Sequence, residues 1–562
     1  MEGQVGRMKK HLETCGSFAS DSDHDSVDAQ VEVTTTSSTT MTGEDTESSL
    51  CLPGPSNLKR KLPCSTLPLV PEKKLKISDL SSFVVKTSSS QKEVIDCHVA
   101  KYFYATNTSF RSVENNHFKK LMEILRPGYF PPSKLDLSGN LLNKVYESEM
   151  EKCHDTLKNQ TLCMSLDGWS NVHNQPIICI CVTTMEGIVY LVDTIDTSGT
   201  PHTGENLTDL AVTAIKNIQD KFNCRIRSFV TDNAANMASM RKALKTKDCI
   251  EVVCYGCSAH ILSLLSKDLE IQSVTEHVVQ INKYFRNNQF ARAKFNESKG
   301  NKSVGLSLPS QVRWNTMCDS LESYIKNWPI LMQIVDENRV AIDESIRSKV
   351  MNLSIKRNVE DLLLRLKPIS IALDQIQKDS CSIAEAVDIW KKLETDLKKN
   401  KVLDNCKKSV INKSFKNRYD QALTPVHFLA YLLSPTFRPE NLSTEEKNNA
   451  IQFIKENYED TSLITILLKF IVRAEPFNGP LFEDKVVNKV DALHWWQSLS
   501  TLKDCISSKE LLVIEQLMTA KATSAGVERI FSTFGFVHSK LRNQLGVEKA
   551  AKLAFLFKSL NK

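Results

Sequence analysis

The sequence predicts an α/β protein with a large all-α block, and three observations carry that prediction. Between residues 161 and 256, short apolar runs are separated by turn residues and by amphipathic stretches. From 270 to 500, apolar residues recur at three- and four-residue spacing, with little that reads as strand. The chain then closes with two further helical stretches, SAGVERIFSTFGFVHSKLRNQL and EKAAKLAFLFKSL.

Taken in order, EVIDCHVAKYFYATN and NNHFKKLMEILRP have helical spacing, and Pro127 closes the second. Residues 136–160 form another expected helix leading into the first strand. TLCMSLD, IICICVTT and IVYLVDTID are three successive strands, expected as an antiparallel meander. ENLTDLAVTAIKNIQDKF is an amphipathic helix, IRSFVTD a fourth strand and ANMASMRKAL a helix. IEVVCYGC is a fifth strand and AHILSLLSKDL the helix after it. The succession βββαβαβα is the topology of RNase H-like nucleases. In the later block, IKRNVEDLLLRLKPISIALDQI, SIAEAVDIWKKLETDLKK and the surroundings of HFLAYLL are helical.

Composition places bounds on function. The chain has 562 residues, 41% hydrophobic and 25% charged, the balance of a globular protein of two or three folded units. No apolar run approaches the ~18 residues of a membrane span, and MEGQVGRMKKHLETC has no apolar core of a secretory signal. The 16 irregularly spaced cysteines are expected to be reduced and mostly buried. Net charge is +6, unevenly spread. Residues 1–50 hold 3 Lys/Arg against 10 Asp/Glu, and residues 51–90 hold 7 against 2, which leaves +8 on the remainder. A mildly basic body permits nucleic-acid binding. Residues 16–91 read as a disordered linker without apolar periodicity. Within it, Lys59-Arg60-Lys61 and Lys73-Lys74-Leu75-Lys76 form two basic clusters suited to a two-site nuclear import receptor.

Two carboxylates stand where the topology would bring them together. Asp167 ends the first strand in SLDGWS, and Asp232 ends the fourth in FVTDNAAN. In the expected sheet those strands are neighbours. Close carboxylates repel unless a cation lies between them, and Mg²⁺ or Mn²⁺ there would serve displacement at a phosphodiester. Each aspartate also has a plainer reading, Asp-Gly as a turn and Asp232 as a helix cap. Glu528 in SAGVERIFS is the candidate third carboxylate. It borders the helix face formed by Val527, Ile530, Phe531 and Phe534.

The stretches SLDGWSNVHNQPIICICVTT, FVTDNAANMASMRKAL and CYGCSAHILSLL resemble the central domain of hAT-superfamily transposases and their domesticated derivatives. ATSAGVERIFSTFGFVHSKLRNQLGVEKAAKLAFLF resembles the family's C-terminal dimerisation region, and LPSQVRWNTMCDSLE and YDQALTPVHFLAYLLSPTF also fit. The resemblance covers roughly residues 92–562. It implies an RNase H-like core interrupted by a large helical insertion, with the last catalytic residue beyond it. It implies a DDE triad of Asp167, Asp232 and Glu528, holding Mg²⁺ or Mn²⁺ if the protein is active. Cys257 and His260 match the family's CxxH motif. Arg313 and Trp314 match its RW motif, whose tryptophan is implied to stack on a base at the cleaved DNA end. Zinc is not expected at Cys254, Cys257 and His260, because no further ligand pair follows.

The expected organisation is therefore a remnant of a BED-type zinc finger at 1–15 and the linker at 16–91. A helical region follows at 92–160, then the first part of the core at 161–269 and the insertion at 270–500. A dimerisation region at 501–562 completes the core. His11-Leu-Glu-Thr-Cys15 resembles only the last turn of the finger. The expected function is that of a domesticated, nuclear, DNA-binding homodimer or higher homo-oligomer without a membrane partner. The alternative is an active metal-dependent transposase.

Overall fold

The computed structural model describes residues 87–562 except 247–250, 301–303, 311–314, 400–404, 459–460, 504, 540–541 and 543. The finger remnant, the import clusters and the Arg313-Trp314 pair lie outside the described residues.

The described chain opens with α1 (Ser89–Ala105), a few residues ahead of the expected start. The reason is a capping box: Ser88 Oγ accepts from the Gln91 amide, and the Gln91 side chain accepts from the Ser88 amide. Then come α2 (Asn116–Leu125), α3 (Lys134–Ser138) and α4 (Asn140–Leu157).

The sheet comprises β1 (Thr161–Ser170), β2 (Pro176–Thr183), β3 (Val189–Asp196), β4 (Arg225–Thr231) and β5 (Val253–Gly256). Its spatial order is β3-β2-β1-β4-β5. The pairs β1–β2 and β2–β3 are antiparallel, whereas β1–β4 and β4–β5 are parallel. The parallel pairs need crossover connections, which α5 (Gly204–Phe222) and α6 (Ala235–Leu244) supply. After β5 comes α7 (Ser258–Asp268). The strands and helices of this stretch lie in the expected order, with β1 running past Asp167 to Ser170 and β4 ending one residue before Asp232.

The chain then leaves the sheet for α8 (Gln272–Asn287), α9 (Gln289–Ser298), α10 (Thr316–Glu337), α11 (Glu344–Met351) and α12 (Leu353–Ile376). It continues through α13 (Ile383–Lys399), α14 (Asn405–Ala422), α15 (Pro425–Leu433), α16 (Thr444–Asn457) and α17 (Ser462–Ile471). The last of this series are α18 (Asp484–Val487) and α19 (Ala492–Lys503). The block is anchored to α7. Trp390 Nε1 donates to Ser258 Oγ at 3.3 Å, and Arg418 forms a two-point ion pair with Asp268 at 2.6 and 2.9 Å.

Three helices bring the chain back to the sheet: α20 (Ser508–Thr519), α21 (Ala525–Val537) and α22 (Val547–Leu560). Two cores result. One gathers Cys163, Val230 and Tyr255 of the sheet with α7 and the inserted helices. The other gathers Leu162, Met164 and Leu166 with α1, α4, α5, α21 and α22.

Helix α21 ends at Val537, short of the SKLRNQL that continues its apolar spacing. The aromatic residues of α21 and α22 are largely used within the chain. Phe534 is fully buried, and Phe555 is buried against the Tyr146 ring, 5.2 Å between centroids. Phe531 stacks on Trp169, and Phe557 packs on Phe536. A charge placed at Phe555 would therefore disrupt this core. Among the described residues, no helix is long and apolar enough to cross a membrane.

Candidate functional site

Asp167 and Asp232 lie side by side at one edge of the sheet. The parallel register of β1 and β4 ends with the pair Leu166–Thr231, and each aspartate is the next residue, Asp167 still within β1 and Asp232 just past the end of β4. Asp167-Gly168 is not a turn: Asp167 pairs with Cys179 and Gly168 with Ile178, so β1 runs through both. Asp167 Oδ1 accepts from the Gly168 amide at 2.7 Å. Asp232 is buried, and its Oδ1 accepts from the Ala234 amide at 3.1 Å just ahead of α6, so part of its capping role is realised.

The turn after β4 is tightly held. Arg241 of α6 reaches back to donate to Thr231 Oγ1 and to the Asp232 carbonyl. Asn233 Nδ2 donates to the Cys257 carbonyl at 2.9 Å. Gly256 leaves room for Asn233, since a Cβ there would stand 1.8 Å from Asn233 Oδ1. Gly256→Ala is expected to push Asn233 off that bond and to cost about 1–3 kcal/mol, the usual cost of overpacking. An unchanged urea midpoint would contradict this account of the turn.

Glu528 reaches the same edge from α21. Strand side chains alternate, so Asp167 and Trp169 share a face of β1. Trp169 packs on Phe531 at 5.9 Å and on Phe534 at 5.1 Å between centroids, which sets α21 over that face. Close approach needs Gly526, where a Cβ would come within 2.9 Å of Val189 Cγ2 on β3. The segment leading into α21 is tied to three parts of the chain. Ser258 donates its amide to the Ala522 carbonyl at 3.0 Å, and Tyr255 donates its hydroxyl to the Lys521 carbonyl at 2.9 Å. Ala522 N–H donates to the Cys381 carbonyl at 2.9 Å. The buried Lys521 ammonium donates to the Met185 carbonyl in the β2–β3 turn and the Ser380 carbonyl before α13.

Cys257 belongs to this joint. Its buried thiol lies 3.6 Å from Thr523 Oγ1 and accepts from the Ser524 amide at 3.4 Å, and burial raises its pKa. His260 is buried one turn along α7. Cys254 lies on β5, its thiol 3.7 Å from the Val252 carbonyl and its pKa pushed by burial up to about 12.

Electrostatics couple the three carboxylates. The Glu528 pKa is raised well above the ordinary carboxylate value, first by desolvation and then by the charge of Asp167. Asp232 adds to the rise, and Arg529 opposes it. Arg529 is itself ion-paired with Asp379 in the α12–α13 loop. Among the described residues, no three His, Cys, Asp or Glu side chains are grouped closely enough to hold a metal ion. Asp167, Asp232 and Glu528 are thus a charge-coupled trio rather than a closed ligand set. Their donor chemistry still suits a divalent cation, which would relieve their mutual repulsion.

Sequence reasoning passed over Trp169, Arg241, Lys521 and the Arg529–Asp379 pair. An arginine inside MRKAL reads as a solvated helix cation, and Lys521 likewise reads as exposed. Only the G-W step after Asp167 carried a signal, a large aromatic two residues on and so on the same strand face.

Residues 132–283 match the family model described as a domain of unknown function, DUF659. That domain is found in hAT-family transposase-like proteins. The match supports a transposase-related family. It begins just before α3 and ends within α8, so it contains the whole sheet, Asp167, Asp232, Cys257 and His260, and it excludes Glu528. No curated protein matches the chain.

Proposed function

We propose that this chain is a nuclear protein derived from a hAT-superfamily transposase. In this reading the five-stranded sheet is an RNase H-like core, and Asp167, Asp232 and Glu528 are its DDE carboxylates. The observation that carries the reading is the placement of Asp167 and Asp232 one residue beyond the last pair of the adjacent strands β1 and β4, with Glu528 in the field of both. The β3-β2-β1-β4-β5 order and the return of the chain to the sheet after a long helical excursion support it.

Asp167 and Asp232 would hold Mg²⁺ or Mn²⁺ with Glu528 as the third carboxylate, and the bound ion would activate water and stabilise the leaving oxygen at a phosphodiester. Cys257 and the buried Lys521 fix the entry into α21 and so position Glu528. Arg313 and Trp314 would contact the DNA end, Lys59–Lys61 and Lys73–Lys76 would direct import, and residues 501–562 would support homodimerisation. The protein binds DNA and dimerises without transposing. Active metal-dependent transposition is the second reading, since the three carboxylates have the donor chemistry for it.

The test is a binding and cleavage assay on a random-flank DNA library with Mn²⁺, read by sequencing the cut ends. Binding should be weak and fall steeply with salt, as phosphate contacts dictate, and the cuts should show no consensus. A sharp consensus at the cuts, abolished in Glu528→Gln, would establish the active transposase instead. Failure to bind duplex DNA even at low salt would defeat both readings.

A further inference from the structure

The N-terminal helices carry an apolar surface that nothing among the described residues covers. Helix α2 has no buried residue, although its apolar and polar side chains are segregated to opposite faces. Ile124 and Leu125 are 67% and 68% exposed, and Val94 on the facing side of α1 is 59% exposed. Between the two helices runs a groove of about 610 Å³, floored by Ile95, Met122 and Tyr129 and rimmed by Val94, Leu125 and Arg126. Contiguous exposed apolar surface of this kind marks an interaction site.

The described chain starts at this groove. Thr87 Oγ1 accepts from Arg126 Nε at 3.4 Å, and Ser90 and Gln91 line the groove itself. Immediately upstream the sequence reads Ile77-Ser-Asp-Leu80-Ser-Ser-Phe83-Val84-Val85-Lys86, which has five large apolar residues in ten. Helix α2, with its 10 residues, is roughly 15 Å long. Extended chain advances about 3.3 Å per residue, so this segment reaches the whole groove with residues to spare. A tethered segment acts at an effective concentration on the order of millimolar, which favours it over a second copy of the chain.

We propose that the α1–α2 groove is the docking site for residues 77–85 of the same chain, with Leu80, Phe83 and Val84 as the anchoring side chains. Docking there brings the basic cluster Lys73-Lys74-Leu75-Lys76 up to the folded body, at the mouth of the groove.

The experiment places a photo-crosslinking benzoylphenylalanine at Leu125 in the full-length chain. Irradiation of a mixture of isotopically light and heavy protein, followed by mass spectrometry, separates adducts within one chain from those between copies. Adducts within one chain to residues 77–85, lost in Leu80→Asp/Phe83→Asp with the melting temperature unchanged or lowered only slightly, are the expected result. Adducts between light and heavy chains would assign the groove to a second copy and overturn the proposal. Adducts to other parts of the chain, or none from a folded protein, would overturn it equally.

Discussion

Trp169→Ala is expected to lower stability by about 3–5 kcal/mol, the range for truncating a large buried aromatic. Trp169 is 6% exposed and joins two elements far apart in sequence, β1 through its own backbone and α21 through Phe531 and Phe534. Its loss leaves a cavity beneath the helix that carries Glu528. Among the described residues the indole N–H meets no hydrogen-bond acceptor, so the contribution of the ring is packing. Trp169→Phe keeps much of that packing and should cost distinctly less. Urea unfolding followed by circular dichroism measures both variants. If the alanine variant unfolds at the wild-type midpoint, α21 is not held to the sheet in this way. Limited proteolysis between residues 520 and 545 gives a local reading of the same event, with faster cleavage expected in the alanine variant.

Glu528→Gln is expected to stabilise the protein at neutral pH, by about 0.5–2 kcal/mol, the usual gain when a functional position is relieved of its cost. Desolvation and the neighbouring Asp167 charge raise the pKa of this carboxyl in the folded state. A carboxyl whose folded pKa is raised favours folding while protonated. That contribution is complete below the unfolded value, near the ordinary 4.3, and it is lost as pH rises through the folded pKa. Glutamine stays neutral throughout. The variant should therefore match wild type in acid and exceed it increasingly above the ordinary carboxylate range. Mn²⁺ should raise the melting temperature of wild type more than that of Glu528→Gln, because binding to the native state stabilises it. Melting temperatures across pH 4–8, with and without Mn²⁺, test both parts. A variant less stable than wild type at pH 7 would mean that the Glu528 charge is compensated and that the carboxylates do not act as a coupled set.

The two aspartates show what one chain of residues reveals and what it conceals. Each was legible because it closes an apolar run, and the succession of runs made those strands neighbours. The competing readings could not be resolved locally. Asp-Gly at 167–168 is a turn by composition, yet β1 passes through it, because β2 offers paired residues as far as Pro176. The cap reading of Asp232 is partly realised in its bond to the Ala234 amide. Glu528 was weaker still from local pattern, since a glutamate beside an apolar helix face is ordinary. The resemblance of its flanking residues added the weight that local pattern lacked, and it is placed by Trp169, Gly526 and the ties around Lys521, all contacts across long intervals of chain.

From sequence alone came the α/β character, the five strands and the helices between them, and the all-helical middle. These follow from side-chain periodicity, which is a local property: alternation buries one face of a strand, and three- and four-residue spacing buries one face of a helix. What each apolar face packs against is not local, and only the tertiary structure decided it. Phe555 is apolar in a helix near the end of the chain, and nothing in EKAAKLAFLFKSL distinguishes a face that meets another copy from one that meets Tyr146 of the same chain. Arg241 and Lys521 carry charges that read as solvated, and they are drawn inward because carbonyl oxygens at Asp232, Met185 and Ser380 are left there to be satisfied. Periodicity determines which side of an element is buried, whereas the partner across the interface depends on residues hundreds of positions away.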